Sequence, residues 1–211
     1  MGFASTRIAT RRRVAALLLV APLTLITVVA EQPAHADSFF PFAYNVNATT
    51  HLKKLNQTVT VPQGTFTGNI DLDTSKLTGS ITLPPATIKL KLAGIVPLVT
   101  ATVKIIQVKP VTGSVLLNQV PFPVTATATF NIHVVSAYAG IVPVNLVGNN
   151  CVTATPVTVT MKGLGNFSGP STFSGPYTIP PLKNCGLTTT ALNQVIPGPG
   201  NTFTAVATPR C

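Results

Sequence analysis

The chain has 211 residues, of which 45% are hydrophobic and only 9% charged, and its 14 Lys and Arg against 4 Asp and Glu give a formal net charge of +10. Disordered chains combine low hydrophobicity with abundant charge, and coiled coils are rich in Ala, Glu, Lys, Leu and Arg, so this composition excludes both classes. A basic excess indicates a nucleic-acid partner only where the basic residues cluster on one surface.

The N-terminal region is predicted to be a secretory signal peptide. Four arginines precede an apolar run over residues 14–30, and Ala34 and Ala36 supply small side chains where a signal peptidase cleaves. We expect cleavage between Ala36 and Asp37, which would leave residues 37–211 as a single exported domain. Because cleavage removes the apolar run, no stable membrane insertion of the mature protein is expected.

Removal of the signal changes the charge that needs an explanation. Four arginines and Glu31 leave with it, so the net charge falls from +10 to +7, and the remaining acids are Asp37, Asp71 and Asp73. The nine lysines that remain are dispersed and the chain has no Trp. Base readout and single-strand stacking favour Arg and aromatic side chains, so no nucleic-acid binding is expected.

Two pairs of lysines are weak candidates for a surface contact. Lys53 and Lys54 are adjacent in the sequence, and Lys89 and Lys91 alternate so that they share one face of a predicted strand. Positive charge of this kind attracts anionic polymers in a salt-dependent way. An anionic cell-wall polymer or an envelope protein is therefore the expected partner of these four side chains.

Alternation of apolar and polar residues, the pattern of a half-buried strand, recurs along the predicted mature chain. The longest run extends from Val124 to Val134, with Thr, Asn and His as the polar partners. Other runs begin, in chain order, at Phe40, Phe66, Ile88, Ala101, Val157 and Phe203. Stretches rich in Pro and Gly, including residues 62–64 and 110–113, are expected to end strands.

About nine antiparallel strands with short connections predict an all-β fold. An antiparallel two-sheet sandwich of the immunoglobulin-like kind is expected in preference to a closed barrel. One short helix is predicted from about Thr189 to Ile196, with Thr188 as a candidate cap and Pro197-Gly198 as its stop. This helix would cover one end or edge of the sandwich.

The three cysteines all lie in the predicted mature chain, where an oxidising compartment favours pairing. We expect a disulfide between Cys151 and Cys185. Cys211 is then an unpaired or intermolecular thiol, and a bond between Cys185 and Cys211 is the alternative.

The sequence offers little that resembles a catalytic or metal site. Asp71 and Asp73 share a strand face beside a turn without a third polar anchor, which is typical of solvated turn residues. His51 and His133 are separated from each other and from any pattern that would supply a triad or a metal site. We therefore expect no enzymatic activity, no catalytic residue, no metal and no cofactor.

The C-terminal third carries a resemblance to a known group. The segments Gly175-Pro176-Tyr177-Thr178-Ile179-Pro180-Pro181, Asn184-Cys185-Gly186 and Ile196-Pro197-Gly198-Pro199-Gly200-Asn201-Thr202 are similar to the closing part of small exported Thr-rich β-proteins of actinobacteria. That group is uncharacterised, so the resemblance implies a β fold and an exported location but no catalytic residue.

Taken together, these patterns predict a secreted, non-enzymatic structural or binding module associated with the cell envelope. A carrier of an apolar, lipid-like ligand held between or beside the sheets is the alternative. It is suggested by residues 95–99, 115–117 and 141–147, which hold more apolar side chains than one sheet face requires. The sequence leaves the oligomeric state open.

Overall fold

The computed structural model describes residues 38–90, 99–140 and 144–210, and within them eleven strands and two short helices. Strands β1 to β4 span Phe39–Leu52, Gln57–Asp71, Lys76–Thr82 and Ala86–Leu90. Strands β5 to β8 span Val99–Val115, Phe122–Ala139, Cys151–Thr153 and Val157–Gly165. Strands β9, β10 and β11 span Ser171–Ile179, Leu182–Lys183 and Gly198–Pro209, and a 3-10 helix, Gly186–Thr188, and helix α1, Thr189–Val195, lie between β10 and β11.

The sheet closes into an eight-stranded antiparallel barrel, so the predicted immunoglobulin-like two-sheet sandwich is wrong. The order around the barrel is β6-β8-β9-β11-β1-β2-β3-β5, and β5 pairs back with β6 to complete the circle. That closing ladder holds 14 residue pairs. Strand β4 adds to the side of β5, while β7 and β10 add to the side of β6.

Two segments that the sequence pattern placed at strand ends instead bend strands from within. Pro110 lies inside the 17-residue β5, where the pairing with β6 changes register on both sides of Lys109. Residues 62–63 lie inside β2, where the pairing with β1 shifts between Val46 and Ala48. A bulge bends its strand and increases the local twist, which lets long strands coil into a barrel instead of stacking as flat sheets.

Glycine supports the same curvature where neighbouring strands approach closely. A β-carbon at Gly113 would collide with the carbonyl oxygen of Thr125 on β6, and one at Gly175 would collide with that of Thr160 on β8. Only glycine therefore fits these two positions without moving the adjacent backbone.

The barrel is apolar inside and rich in Thr outside, as the alternating pattern predicted. On β6, Val124, Ala126, Ala128 and Phe130 are buried, and each is at most 8% exposed. On the outer face, Thr127 and Thr129 face Thr160 and Thr158 of β8, with hydroxyl oxygens 3.0 and 3.4 Å apart.

The two ends of the barrel differ, and each is named here by a feature it carries. The Asp71 end holds the β2–β3 turn, the β5–β6 connection and the β8–β9 loop. The strand pairing next to these connections, at Asp71–Lys76, Val115–Val124 and Phe122–Gly165, places them at the same end. The helix end holds the β1–β2 turn, β10 and α1.

The predicted disulfide and the predicted helix are both confirmed. Cys151 on β7 is bonded to Cys185, and both residues are fully buried. The helix covers an end of the barrel, but Thr188 does not cap it with its side chain. The Thr188 hydroxyl oxygen instead lies 2.9 Å from the carbonyl oxygens of both Leu146 and Cys185, which are the acceptors available to its one hydrogen.

Candidate apolar binding site

In the described part of the chain, one cavity lies inside the barrel toward each end. The first, toward the Asp71 end, has a volume of about 70 Å³, and the second, toward the helix end, about 110 Å³. Strand β11 shows the division, because Ala205 and Ala207 line the first cavity while Phe203 lines the second. On β6, Ala126 lines the first and Phe130 the second.

Apolar side chains from the wall and from the helix end surround the second cavity. Wall residues on strands β2, β4, β5 and β6 that line it include Val59, Val61, Ala86, Ile88, Val99, Ala101, Val103, Ile105, Ile132, Val134 and Ala137. Residues of the helix end that also line it include Leu182 of β10, Leu192 of α1 and Ile196.

Specific contacts hold those helix-end residues in place. The Asn193 side chain accepts a hydrogen bond from the Leu182 amide at 2.7 Å and donates one to the Leu182 carbonyl at 2.9 Å. The Cys151–Cys185 disulfide ties the same segment to β7. Leu192 and Ile196 pack against the buried cluster that contains both cysteines.

Among the described residues that line the second cavity, Thr50 and Tyr177 are the polar pair. Thr50 follows Phe42, Tyr44, Val46 and Ala48 in the inward-facing series of β1, and its hydroxyl oxygen lies 2.6 Å from the Tyr177 hydroxyl. The Thr50 hydroxyl oxygen also lies 3.2 Å from the carbonyl oxygen of Thr202, which is an alternative acceptor for its hydrogen. Burial raises the pKa of Tyr177 above its ordinary value, and the hydrogen bond with Thr50 opposes that rise.

The first cavity is bounded by aromatic rings at the Asp71 end. Phe167 packs on Phe40 and on Phe122, with ring centroids 4.8 and 4.5 Å apart, and Phe122 and Phe167 line the cavity. Tyr44 also lines it and donates a long 3.4 Å hydrogen bond to the carbonyl oxygen of Asn166. Burial raises the Tyr44 pKa.

Of the lysines proposed as surface contacts, Lys53, Lys54 and Lys89 line neither cavity. The Lys53 amide donates to the Asn201 side chain at 3.0 Å, and the Lys54 ammonium donates to the Gln194 carbonyl at 3.3 Å. Both residues occupy the β1–β2 turn at the helix end, and Lys89 is exposed on β4. Lys91 lies outside the described residues.

The acidic and histidine candidates are not brought together. One Asp71 carboxylate oxygen accepts hydrogen bonds from the amides of Asp73 and Thr74 at 3.0 and 2.9 Å, and hydrogen bonds from the Thr74 side chain and backbone are the main causes that lower the Asp71 pKa. His51 lies 3.4 Å from the Thr58 hydroxyl, and His133 lies 3.1 Å from the Asn149 carbonyl oxygen. Within the described ranges, no three His, Cys, Asp or Glu side chains form a group that could hold a metal ion.

Several predicted positions are not covered by the structure. The cleavage-site residues Ala34, Ala36 and Asp37, together with Cys211, lie outside the described residues. Of the apolar segments that suggested a carrier, Val99 lines the second cavity and Val115 the first, while residues 95–98 and 141–143 fall outside the description. In the part of the chain that is described, no helix is long and apolar enough to cross a membrane.

Sequence reasoning missed the two residues that give the second cavity its polar character. The alternating pattern of β1 places Thr50 on the inward face, where a hydroxyl among apolar residues is unusual, so a signal was present. Tyr177 was noted only within the C-terminal resemblance. Their proximity depends on the barrel, which brings β1 and β9 to opposite sides of β11.

The fold and this site define a class, namely a closed eight-stranded β-barrel that encloses apolar cavities and carries a disulfide-anchored helical segment at one end. No protein-family model, no curated protein and no solved structure matches the chain.

Proposed function

We propose that this protein is an exported, non-enzymatic binding protein that holds a small, neutral, apolar molecule in the second cavity of its barrel. The observation that carries the proposal is a cavity of about 110 Å³ lined almost entirely by apolar side chains. Eight-stranded barrels have an interior that side chains fill or that holds one small ligand. Apolar cavities of about 150 Å³ stay dry and bind benzene, which sets the size of the expected ligand.

An unfilled second cavity lowers the stability of the barrel. Protein interiors are close-packed, and an unfilled cavity costs about 24 cal/mol per Å³, or about 3 kcal/mol for the second cavity. Ala86, Ala101 and Ala137 line that cavity, and a larger side chain at one of them would fill it. Small residues at several lining positions favour a binding function. A volume of this size suits a molecule like benzene and not a lipid with a long acyl chain.

Export is the second element of the proposal. The arginine-led apolar run and the Ala34 and Ala36 site predict cleavage before Asp37, and the Cys151–Cys185 disulfide fits an oxidising compartment. N-terminal sequencing of protein recovered from the culture medium of its own host tests this. A mature chain that begins at Asp37 is expected, and retention of residues 1–36 would contradict it.

Binding is tested by titrating the purified mature chain with benzene and following ligand-observed NMR and thermal unfolding. We expect saturable binding and a rise in Tm, because a ligand that binds only the folded state stabilises it. Ala101→Leu should fill the second cavity and abolish this binding. Ala205→Leu fills the first cavity, and Ala191→Leu adds the same atoms on the exposed side of α1, so both should leave binding intact.

Each result of the benzene titrations leads to a different conclusion. Absence of saturable benzene binding by the wild-type protein would contradict the proposal. Equal binding by wild type and the Ala101→Leu variant would place the ligand outside the second cavity. Native mass spectrometry of protein isolated from its own host should also show a small co-purifying apolar mass.

The distribution of charge favours a second candidate function, attachment to an anionic envelope polymer. The acidic side chains of the described ranges, Asp71 and Asp73, lie in or beside one turn at the Asp71 end, whereas Lys53 and Lys54 lie at the helix end and Lys89 on β4. Separation of this kind leaves positive charge without a local acid to balance it.

Retention on a polyglutamate resin at increasing salt tests this second function. We expect the triple variant Lys53→Ala, Lys54→Ala, Lys89→Ala to elute at lower salt than wild type. A matched triple variant, Lys76→Ala, Lys109→Ala, Lys162→Ala, removes the same charge elsewhere. Equal elution of the two variants would refute a localised polymer site.

A further inference from the structure

The polar pair in the second cavity is the starting point for a more specific ligand assignment. Thr50 and Tyr177 both line the cavity, their oxygens are 2.6 Å apart, and Tyr177 is only 8% exposed. Buried polar groups usually form hydrogen bonds with partners in the protein. The donor and acceptor positions that the Thr50–Tyr177 pair leaves unused therefore limit what the cavity can bind.

A count of the hydroxyl hydrogens identifies those unused positions. Either hydroxyl can supply the hydrogen between Thr50 and Tyr177. If the Thr50 hydroxyl donates its one hydrogen to the Thr202 carbonyl, Tyr177 donates to Thr50 and the Tyr177 oxygen keeps an acceptor position; if Thr50 donates to Tyr177, the Tyr177 hydrogen is left for a ligand. A ligand hydroxyl, which can both donate and accept, suits either arrangement.

The rest of the lining restricts the ligand further. None of the described residues that line the second cavity is charged, so an ammonium or carboxylate group would be buried without a counter-ion among them, which is unfavourable. An amide would bring more polar atoms than the Thr50–Tyr177 pair can satisfy. A single hydroxyl on an apolar body needs one acceptor to satisfy its one donor hydrogen.

We infer that the second cavity binds a small apolar molecule carrying one hydroxyl group, and that this hydroxyl forms a hydrogen bond with the Tyr177 hydroxyl of the Thr50–Tyr177 pair. The inference rests on the proposed function, because it names the ligand class of the same cavity. Phenol is the simplest probe, since it matches benzene in shape and adds only the hydroxyl.

The first experiment uses the wild-type protein and compares phenol with fluorobenzene, which has nearly the same size and no donor. Isothermal titration at pH 7 should give a phenol dissociation constant equal to or lower than that of fluorobenzene. A purely apolar cavity would instead reject phenol by about tenfold or more, because its hydroxyl would lose water without gaining a partner.

The second experiment removes the pair with little change in shape. In the double variant Thr50→Val, Tyr177→Phe both hydroxyls are gone, and we expect phenol affinity to fall about tenfold while fluorobenzene affinity stays within about twofold. Tyr44→Phe deletes the matching hydroxyl of the first cavity and should change neither value. Circular dichroism establishes that each variant is folded.

The possible outcomes distinguish failure of the proposed function from failure of the hydroxyl assignment. Binding of neither probe by wild type would overturn the proposed function itself. Tight fluorobenzene binding with phenol rejected, or phenol binding unchanged in the double variant, would overturn the hydroxyl assignment and leave apolar binding standing. If the double variant does not fold, the wild-type comparison of phenol with fluorobenzene decides the question.

Discussion

Removal of the Cys151–Cys185 disulfide should destabilise the barrel strongly. The perturbation is the double substitution Cys151→Ala, Cys185→Ala, made in a Cys211→Ala background so that no thiol remains. The bond joins residues 34 positions apart in the sequence. For a loop of that length the chain-entropy model gives a contribution of about 4 kcal/mol, because the bond restricts the unfolded chain.

The structure also predicts where the effect should appear. Cys185 directly follows the β10 region and precedes the 3-10 helix, so its bond to β7 holds the segment that carries Leu182, Leu192 and Ile196 over the second cavity. Without the bond, that segment should open locally more often than the barrel strands. Benzene binding in the second cavity should weaken in parallel.

Urea unfolding at pH 7, followed by circular dichroism, measures the global loss relative to the Cys211→Ala reference. Amide hydrogen exchange of residues 182–196, compared with that of β6, measures the local effect. A global loss below about 1 kcal/mol would refute the loop-entropy reasoning. Unchanged exchange in residues 182–196 would refute the claim that the bond anchors this segment.

Two further predictions concern the same end of the barrel. Asn193→Ala should lower the free energy of unfolding by about 1–3 kcal/mol in urea titrations, because it leaves the Leu182 amide and carbonyl without their side-chain partner, and a loss below about 0.5 kcal/mol would contradict this. Burial favours the neutral forms of Tyr44 and Tyr177 in the folded state. Their contribution to the free energy of unfolding should therefore be fully present below the ordinary tyrosine pKa of 10.0 and be lost as the pH rises through their raised pKa values. The tyrosinate absorbance at 295 nm should rise at a higher pH than for free tyrosine, and Tyr177→Phe should remove part of that rise. Titration of both residues at their ordinary pKa would contradict this prediction.

The strands, the helix and the disulfide could be predicted from the sequence because each depends on a local pattern. Alternation from Val124 to Val134 fixes an inward and an outward face whatever the strand pairs with, and Pro197-Gly198 ends a helix in any surroundings. Barrel closure is not local. It depends on the pairing of β5 with β6, and the same period of two occurs in sandwiches and barrels.

Pro110 illustrates why the strand count and the expected sandwich are wrong. Proline cannot donate to a sheet ladder, so the sequence pattern predicts a strand end there, but at a bulge the missing donor costs little. In β5 the pairing changes register around it, and the Gln107 side chain accepts a hydrogen bond from the Ile81 amide at 2.7 Å nearby. Because β5 continues through this bend, it can pair with β6 along its whole length and close the barrel, whereas two separate strands could have been divided between two sheets.

The two described cavities could not be predicted from the sequence, because they depend on the diameter of the closed barrel. The alternating pattern identifies Ala101, Ala126 and Ala205 as inward-facing, but whether their small side chains are matched by large ones opposite depends on the diameter of the closed barrel. At about 24 cal/mol per Å³, unfilled cavities of 70 and 110 Å³ cost about 4 kcal/mol together. The Cys151–Cys185 bond contributes a stabilisation of similar size. A barrel closed by a disulfide-anchored segment can therefore keep an open interior and remain folded, and a ligand that fills the second cavity would recover part of the free energy that the open space costs.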